Sequence, residues 1–145
     1  MSAADGTGIL ILTAIPEERA AVERALAEAG VSARVVETGD GAVRSARAAR
    51  EAIAAVRPAA VLGAGVAGGL SDDLAPGEII VSARVLDAAE EAPPPDAALV
   101  ARALALPGLR AGTLLSMVRP ALSAAQKTAL AVRGGDPSCV DMESA

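Results

Sequence analysis

The sequence contains no histidine and no aromatic residue, and Cys139 is its single cysteine. The absence of histidine excludes a Ser-His-Asp triad, a Cys–His nucleophile pair and most zinc sites. One cysteine cannot form an internal disulfide, which fits a reducing compartment, so we expect a cytoplasmic protein. Because the chain has no aromatic rings to stack on bases and carries a net charge of −5, nucleic acid is not an expected partner.

Hydrophobic residues make up 52% of the 145 positions, and charged residues only 21%. This composition excludes a disordered chain, and the length suits a single domain with a core of alanine, valine, leucine and isoleucine. No apolar stretch reaches the length of a membrane span, so no membrane segment is expected. The N-terminus has no basic region before its short apolar run, and we therefore predict no signal peptide.

Strands and helices are predicted to alternate. Apolar runs predict strands over residues 9–12, 31–37, 59–63, 78–86, 112–117 and 138–140. Periodicity and capping residues predict helices from Pro16 to a stop at Gly30, and over residues 42–56, 97–106 and 123–132. The predicted inner stripe of the second helix is Val43, Ala46, Ala49, Ile53 and Val56. The alternation predicts an α/β three-layer sandwich with a mixed, mostly parallel sheet, and three consecutive prolines place residues 88–96 in a loop.

A glycine-rich segment follows the third predicted strand. Gly63, Gly65 and Gly68 satisfy the pattern G-x-G-x-x-G, and Asp87 follows as a candidate ribose-binding acid, which suggests a dinucleotide site. That fingerprint should open a helix, yet a loop and then another strand follow here. A glycine-rich turn that lets backbones approach closely is therefore favoured over NAD binding.

Carboxylates follow two of the predicted strands, at the place where ligands bind in open α/β sheets. Glu17 and Glu18 follow the first strand, where a carboxylate can act as a base. Taken alone, these two residues are better explained as complements of the helix dipole. After the last strand, Asp141 suits a helix cap, while Glu143 can hold sugar hydroxyls with Met142 packed on the apolar face of the sugar.

Taken together, three blocks resemble the superfamily of purine nucleoside phosphorylases and methylthioadenosine/S-adenosylhomocysteine nucleosidases. The blocks are Ala-Ile-Pro-Glu-Glu, then Gly-Val-Ala-Gly-Gly-Leu with the following Pro-Gly-Glu-Ile-Ile-Val-Ser, and finally Val-Asp-Met-Glu-Ser-Ala. The resemblance spans nearly the whole chain, and residues 64–82 are its most specific part. It implies a phosphorylase/hydrolase-like fold, a small nucleoside substrate, a part in purine salvage and a homo-oligomer.

The resemblance also implies roles for individual residues. Glu18 matches the carboxylate that activates water in the nucleosidases, Glu143 matches the ligand of the ribose hydroxyls, and Met142 matches the residue packed under the sugar. The loop that lines the nucleophile site corresponds to three consecutive residues, Gly65, Val66 and Ala67. Neither a metal nor a cofactor is implied, and phosphate would be a co-substrate if the reaction were phosphorolysis.

Several features of the family are missing. Val66 stands where many members have a serine for phosphate or water, and Val61-Leu62-Gly63 replaces the arginine that phosphorylases place before this loop. These departures favour hydrolysis of a purine-type nucleoside over phosphorolysis. The chain also ends before the strand that carries the family's acid for the leaving base, so we expect residues 1–145 to form one domain that lacks the C-terminal portion and has reduced activity. A dinucleotide-binding domain and a non-catalytic fragment are the alternatives.

Overall fold

The computed structural model describes residues 8–87, 92–132 and 138–144. By its internal contacts the chain divides into two compact units, residues 1–66 and 67–145. In chain order the strands are β1 (Ile9–Thr13), β2 (Arg34–Glu37), β3 (Ala60–Gly63), β4 (Gly68–Gly69), β5 (Ile79–Leu86), β6 (Leu109–Ser116) and β7 (Cys139–Asp141). The helices are α1 (Pro16–Ala29), α2 (Ala42–Val56), α3 (Ala97–Leu104) and α4 (Ala124–Ala131).

The first unit is built on a fully parallel sheet in the order β2-β1-β3. Its central strand β1 is an unbroken apolar run in which Leu10 is fully buried and Ile11 nearly so. Ile11 pairs with Val35 of β2 and with Leu62 of β3. Because all three strands run in the same direction, their carboxyl ends meet at one edge of the sheet, and α1 and α2 connect each strand to the next.

Helix α1 has clear sequence signals at both ends. Pro16 is its first residue, where the fixed φ suits a helix and the missing N–H is not needed. Glu17 and Glu18 lie in the first turn, near the positive end of the helix dipole. The helix ends at Gly30, which has a left-handed φ of 63° that favours glycine. These signals fix where α1 begins after β1, and they therefore place Glu18 at the carboxyl edge of the sheet.

The second unit is built on a four-stranded sheet in the order β4-β7-β6-β5. Strands β5, β6 and β7 are parallel, and the two-residue β4 runs antiparallel to β7. Leu70, Leu115 and Val140 form its buried core, against which Leu130 and Ala131 of α4 pack. Full burial of a leucine or valine side chain stabilises a fold by about 1.5–3 kcal/mol, so this cluster anchors β7 firmly beneath α4.

The packed face of α2 agrees with the predicted stripe only in part, because Ala46, Ala49 and Val56 are half-buried but the other two members are exposed. Val43 is 89% exposed and Ile53 is 40% exposed, whereas Ser45 is buried. The hydroxyl of Ser45 donates to the carbonyl oxygen of Ala42 at 3.2 Å, within its own turn of helix. Since the buried hydroxyl is satisfied locally, its burial costs little, and a search for apolar periodicity does not detect it.

The α/β class with mixed, mostly parallel sheets is confirmed, and the predicted helices and strands are present with ends shifted by a few residues. The strands lie in two sheets, one in each unit. Strand β4 was not predicted, because Gly68 and Gly69 have no side chains that favour a strand and pair only because Cys139 and Val140 lie opposite them. The predicted loop over residues 88–96 is described only from residue 92, and the single domain stays a prediction.

Two further observations concern the described part of the chain only. No helix in residues 8–87, 92–132 and 138–144 combines the length and the apolar character that a bilayer crossing requires. Within the same residues, no three side chains of histidine, cysteine, aspartate or glutamate come together as a metal site would require. The expectation that the protein works without a cofactor stays a prediction.

Candidate active site

The carboxyl ends of β1 and β3 lie side by side in the first unit. Leu12 pairs with Gly63, and the N–H of Ala64 donates to the carbonyl oxygen of Leu12 at 2.9 Å, which extends the pairing beyond β3. Two segments therefore leave the sheet as neighbours, residues 14–18 after β1 and residues 64–66 after β3. This edge is the place where open α/β sheets bind ligands.

The carboxylate of Glu18 bridges these two segments. Its Oε2 accepts hydrogen bonds from the N–H groups of Ala14 at 2.8 Å and Ile15 at 3.3 Å. Its Oε1 accepts a hydrogen bond from the N–H of Val66 at 2.9 Å. Hydrogen bonds to a carboxylate are stronger than those between neutral groups, so three backbone donors hold this half-buried side chain in one position.

Helix capping explains only part of this arrangement. Glu18 is the third residue of α1, and its bond to the N–H of Ile15 is the glutamate half of a capping box. A cap does not require the bond from Val66, which lies 48 residues later in the chain. The role in stabilising the helix N-terminus therefore coexists with a second contact that ties the carboxylate to the glycine-rich segment.

A glycine at position 65 is necessary for this contact. A Cβ atom placed on Gly65 would lie 2.7 Å from Oε1 and 3.0 Å from Cδ of Glu18, whereas ordinary contacts begin at 3.4 Å. Any side chain at this position would therefore push the carboxylate away. The two residues that contact the Glu18 carboxylate face solvent, since Gly65 is exposed and Val66 is 77% exposed. The carboxylate thus contacts a stretch of backbone that a small molecule can reach.

Beyond Val66 the glycine-rich segment enters the second unit. Ala67 is exposed, and Gly68 and Gly69 form β4, with Gly68 opposite Val140 of β7. The described residues between β4 and β5 form turns and no helix. A dinucleotide fingerprint opens a helix whose N-terminus binds the pyrophosphate, so the element that a dinucleotide site needs is missing from this part of the chain.

The second predicted carboxylate follows β7 in the second unit. Asp141 ends the strand, and its carbonyl oxygen accepts from the N–H of Met117 at 2.8 Å while the hydroxyl of Ser144 donates to its Oδ2. The chain then bends, and Oε2 of Glu143 accepts from the N–H of Met142 at 3.2 Å. Met142 and Glu143 are both half-buried at the carboxyl end of β7. Their position matches the strand-end location that the sequence predicted.

The carboxylate of Asp141 and the thiol of Cys139 lie next to this segment and differ in their chemical properties. The second oxygen of Asp141, Oδ1, is buried and has no hydrogen-bond partner among the residues that the structure describes. Cys139 is buried, and this burial, together with the charge of Asp141, raises the pKa of its thiol. Because the thiolate is the reactive form of cysteine, a raised pKa argues against Cys139 as a nucleophile.

An exposed ion-pair cluster anchors the loop between β4 and β5. Arg110 Nη2 lies 2.5 Å from Asp73 Oδ2, and Arg110 Nη1 lies 3.3 Å from Glu78 Oε2. The hydrogen bond from the Ser71 hydroxyl, and next the bond and charge of Arg110, lower the pKa of Asp73 below its ordinary value. Since exposed pairs contribute little to stability, this cluster sets the path of the loop and does not hold the fold together.

The predicted site residues fall into two groups. One group lies in the first unit and makes direct contacts: Glu18, Gly65 and Val66. The other group lies in the second unit: Ala67, Met142 and Glu143. That both groups serve one nucleoside site stays a prediction. The sequence could not reveal the N–H donors of Ala14 and Ile15, because backbone donors are common to nearly all residues and leave no signal in the sequence.

A family comparison agrees with the three sequence blocks. The family model described as the Phosphorylase superfamily matches residues 10–145, which is nearly the whole chain. The chain belongs to the phosphorylase superfamily. This confirms the resemblance that the sequence blocks suggested. A search of curated proteins finds no match to this superfamily member.

Solved structures share the fold of this phosphorylase superfamily member. A futalosine hydrolase mutant of Helicobacter pylori strain 26695 has a TM-score of 0.79 at 20% identity, covering 94% of this chain and 78% of that chain. A mutant of the Helicobacter pylori nucleosidase MTAN, with 5′-methylthioadenosine in its active site, has a TM-score of 0.77 at 21% identity, covering 96% and 76%. The 5′-methylthioadenosine/S-adenosylhomocysteine nucleosidase of Neisseria meningitidis, in complex with methylthio-immucillin-A, has a TM-score of 0.77 at 18% identity, covering 94% and 75%. At these identities the likeness establishes the fold.

Proposed function

We propose that this phosphorylase superfamily member cleaves the N-glycosidic bond of a purine-type nucleoside by hydrolysis. The observation that carries the proposal is the carboxylate of Glu18, which three backbone N–H groups fix against Gly65 and Val66 at the carboxyl edge of a parallel sheet. The names of the similar solved structures support it, because those proteins are a futalosine hydrolase and methylthioadenosine nucleosidases.

Glu18 acts as the general base in this proposal. A carboxylate offers about four acceptor positions, and Glu18 uses two on Oε2 and one on Oε1. Oε1 therefore keeps a lone pair for a water molecule. Breaking the N-glycosidic bond develops positive charge on the sugar, which a nearby carboxylate stabilises. Glu18 takes a proton from the water as the water oxygen bonds to the anomeric carbon of the sugar. The electrons of the broken N-glycosidic bond leave with the purine, which takes a proton from solvent, and Glu18 later returns its proton to solvent.

Met142 and Glu143 bind the sugar in this proposal. The two oxygens of Glu143 can accept hydrogen bonds from adjacent ribose hydroxyls, while the thioether of Met142 packs on an apolar face. The half-burial of both residues at the end of β7 supports these roles, which the family resemblance first suggested. Gly65, Val66 and Ala67 then line the side from which the nucleophile arrives.

Water rather than phosphate is the nucleophile in this proposal. Val66 presents an exposed apolar side chain without a hydroxyl, and Val61 and Leu62 stand where the phosphorylases have their arginine. The side chains that bind phosphate are cationic or carry a hydroxyl, and the first unit offers neither kind of side chain at these positions. The carboxylate of Glu18 also repels a second anion placed beside it.

We also propose a cytoplasmic homo-oligomer that works in purine salvage. A single buried cysteine fits a reducing compartment, and cell fractionation that finds the protein only outside the cytoplasm would contradict this location. The family resemblance supports self-association. Light scattering that finds only monomer at every concentration would argue against the oligomer.

Release of free base tests the proposed reaction. The purified chain is incubated in phosphate-free buffer with adenosine, 5′-methylthioadenosine or uridine, and the free base is quantified by chromatography. We expect release from the purine nucleosides and not from uridine. The variant Glu18→Gln should lower kcat by about 10²–10⁴-fold, the usual contribution of a general base. Its matched control is Glu17→Gln, because Glu17 is exposed and lies beside Glu18 in the same helical turn.

Two outcomes would contradict the proposal in different ways. If the folded chain releases no base from any of the three nucleosides, the proposed activity is wrong. If release begins only when phosphate is added, the reaction is phosphorolysis and not hydrolysis. If Glu17→Gln and Glu18→Gln lower kcat equally, the loss reflects the helix N-terminus and not a general base.

A further inference from the structure

A single peptide group connects the Glu18 carboxylate to the end of β2. The peptide between Thr13 and Ala14 directs its N–H to Oε2 of Glu18 at 2.8 Å, the shorter of the two hydrogen bonds that this oxygen accepts. The carbonyl oxygen of the same peptide accepts from the N–H of Thr38 at 2.8 Å and from the Thr38 hydroxyl at 3.1 Å. Both ends of one peptide group are therefore hydrogen-bonded, one end to Glu18 and the other to Thr38.

The two bonds from Thr38 have different origins. Thr13 pairs with Glu37 in the last register position of β1 and β2, so the N–H of Thr38 continues the parallel ladder by one bond. The ladder does not require the hydroxyl bond, which is a second donor on a carbonyl oxygen that has two lone pairs. The hydroxyl also lies 3.4 Å from the carbonyl oxygen of Gly39, the more distant of its two acceptors. The hydroxyl bond to Thr13 is therefore the feature that the sheet does not explain.

Packing alone does not favour a hydroxyl at position 38. Thr38 is 6% exposed and follows Val35 and Val36 of β2, where a valine would extend the apolar run. A buried hydroxyl costs free energy unless it is hydrogen-bonded, and the bond to the Thr13 carbonyl offsets that cost. Because its side chain is buried, Thr38 can influence Glu18 only through the peptide and not by touching a ligand.

Planarity makes this peptide a rigid link. The carbonyl oxygen and the N–H lie in one plane, so any rotation that moves the oxygen also moves the hydrogen. Two donors on the oxygen restrict that rotation and hold the N–H in the direction of Oε2. Hydrogen bonds in series also polarise one another, so a bond to the carbonyl strengthens the N–H donor of the same peptide. The hydroxyl of Thr38 therefore both orients and strengthens the shortest hydrogen bond to the Glu18 carboxylate.

We propose that Thr38 is a positioning residue for Glu18, and that it acts through the peptide between Thr13 and Ala14. Its hydroxyl fixes the peptide, and the peptide N–H fixes Oε2, so Oε1 presents its remaining lone pair to the attacking water in one direction. The inference rests on the proposed function for the identity of the reaction. The series of hydrogen bonds from Thr38 to Glu18 does not depend on any activity.

Removal of the hydroxyl tests the proposal in the base-release assay. Thr38→Val keeps the branched shape and the backbone N–H but loses the hydroxyl, while Thr38→Ser keeps the hydroxyl and loses a methyl group. We expect kcat to fall about tenfold in Thr38→Val, less than the ~10²-fold loss that a displacement of about 1 Å causes, because the N–H of Thr38 still holds the carbonyl. KM should stay unchanged, since no contact with the substrate is lost, and Thr38→Ser should restore kcat.

The matched control is Thr128→Val in α4. It removes another threonine hydroxyl that donates to a backbone carbonyl oxygen, that of Ala124 at 3.0 Å. We expect wild-type kcat for this variant. Wild-type kcat in Thr38→Val as well, or an equal loss in Thr38→Val and Thr38→Ser, would overturn the proposal.

A second background separates positioning from a structural effect. In Glu18→Gln the general base is already missing, so Thr38→Val should cause no further fall in kcat. A merely structural role would lower kcat by the same factor in both backgrounds. A tenfold loss that persists in Glu18→Gln would therefore contradict the assignment of Thr38 to the positioning of Glu18.

The amide proton of Ala14 gives a readout that needs no turnover. A weaker hydrogen bond moves an amide proton resonance to higher field, so the Ala14 resonance should move upfield in Thr38→Val and return in Thr38→Ser. A resonance that stays in place in Thr38→Val would remove this inference, even if the chain hydrolyses nucleosides. The expected shift in a chain that releases no base would keep Thr38 as the residue that positions Glu18 and would contradict only the proposed function.

Discussion

Replacing Gly65 by alanine should reduce activity while leaving the fold almost unchanged. The new Cβ atom would lie 2.7 Å from Oε1 of Glu18, and moving Oε1 to an ordinary 3.4 Å contact requires a shift of about 0.7 Å. The carboxylate is the far end of a flexible side chain, so it moves and the backbone does not. That shift lengthens the 2.9 Å hydrogen bond from the N–H of Val66 towards its limit and releases the carboxylate from the glycine-rich segment.

The expected changes in stability and in rate differ in size. Losing one charge-assisted hydrogen bond at a partly exposed site costs about 1 kcal/mol in the free energy of unfolding. Alanine offsets about 0.4–1 kcal/mol of this by restricting the unfolded chain, so the net change should be close to zero. Misplacing a catalytic group by about 1 Å costs about 10²-fold in rate, so kcat for base release should fall by a factor of that order.

The matched control is Gly63→Ala, two residues earlier in the same segment. A Cβ atom on Gly63 would meet no atom within 4 Å, so this variant makes the same chemical change in open space. We expect wild-type kcat for Gly63→Ala and a kcat about 10²-fold lower for Gly65→Ala, with melting temperatures of both close to the wild type. Wild-type kcat in Gly65→Ala would refute the argument that the position of Glu18 controls the reaction. A dinucleotide site, by contrast, would depend on both glycines.

Two further predictions concern the second unit. Glu143→Gln should lower kcat/KM by about 10–100-fold, because it weakens one or two hydrogen bonds to ribose hydroxyls. The loss should be smaller with a 2′-deoxynucleoside, and an equal loss with both substrates would contradict sugar binding by Glu143. Asp73 has a lowered pKa, so its contribution to stability is present above its unfolded pKa and disappears as the pH falls through the folded value. The difference in melting temperature between wild type and Asp73→Asn should therefore shrink below about pH 4, while Asp72→Asn, which changes a neighbouring exposed carboxylate, should show no such trend.

The sequence predicted the elements and the position of Glu18 because both depend on local signals. Pro16 and the two glutamates mark the start of α1, and the apolar run before them marks β1, so Glu18 had to lie at a strand end. The bond from Val66 to Glu18 was not predictable, because it joins residues distant in the chain through a backbone N–H. The close approach of Gly65 follows from that contact and was visible only as a general preference for glycine.

Two other features could not be predicted from the sequence, for physical reasons. The inner face of α2 carries Ser45, whose hydroxyl forms its hydrogen bond within the helix. The predicted apolar stripe therefore included the exposed Val43 and missed Ser45. The helix α4 was predicted, but the reach of Lys127 to Gly68 depends on the strand β4, which no propensity indicates. For α2 the hydrogen-bond partner lies within the helix itself, whereas Lys127 and Gly68 lie in different elements of the second unit.

The central claim is that water attacks the sugar of a purine-type nucleoside with Glu18 as the base. The most direct measurement is the incorporation of ¹⁸O from labelled water into the released sugar, with phosphate present, using wild type and Glu18→Gln. We predict that the wild type forms free base and an equal amount of ¹⁸O-labelled sugar, and that Glu18→Gln forms both about 10²–10⁴-fold more slowly. Formation of unlabelled sugar phosphate, or an undiminished rate in Glu18→Gln, would contradict the account.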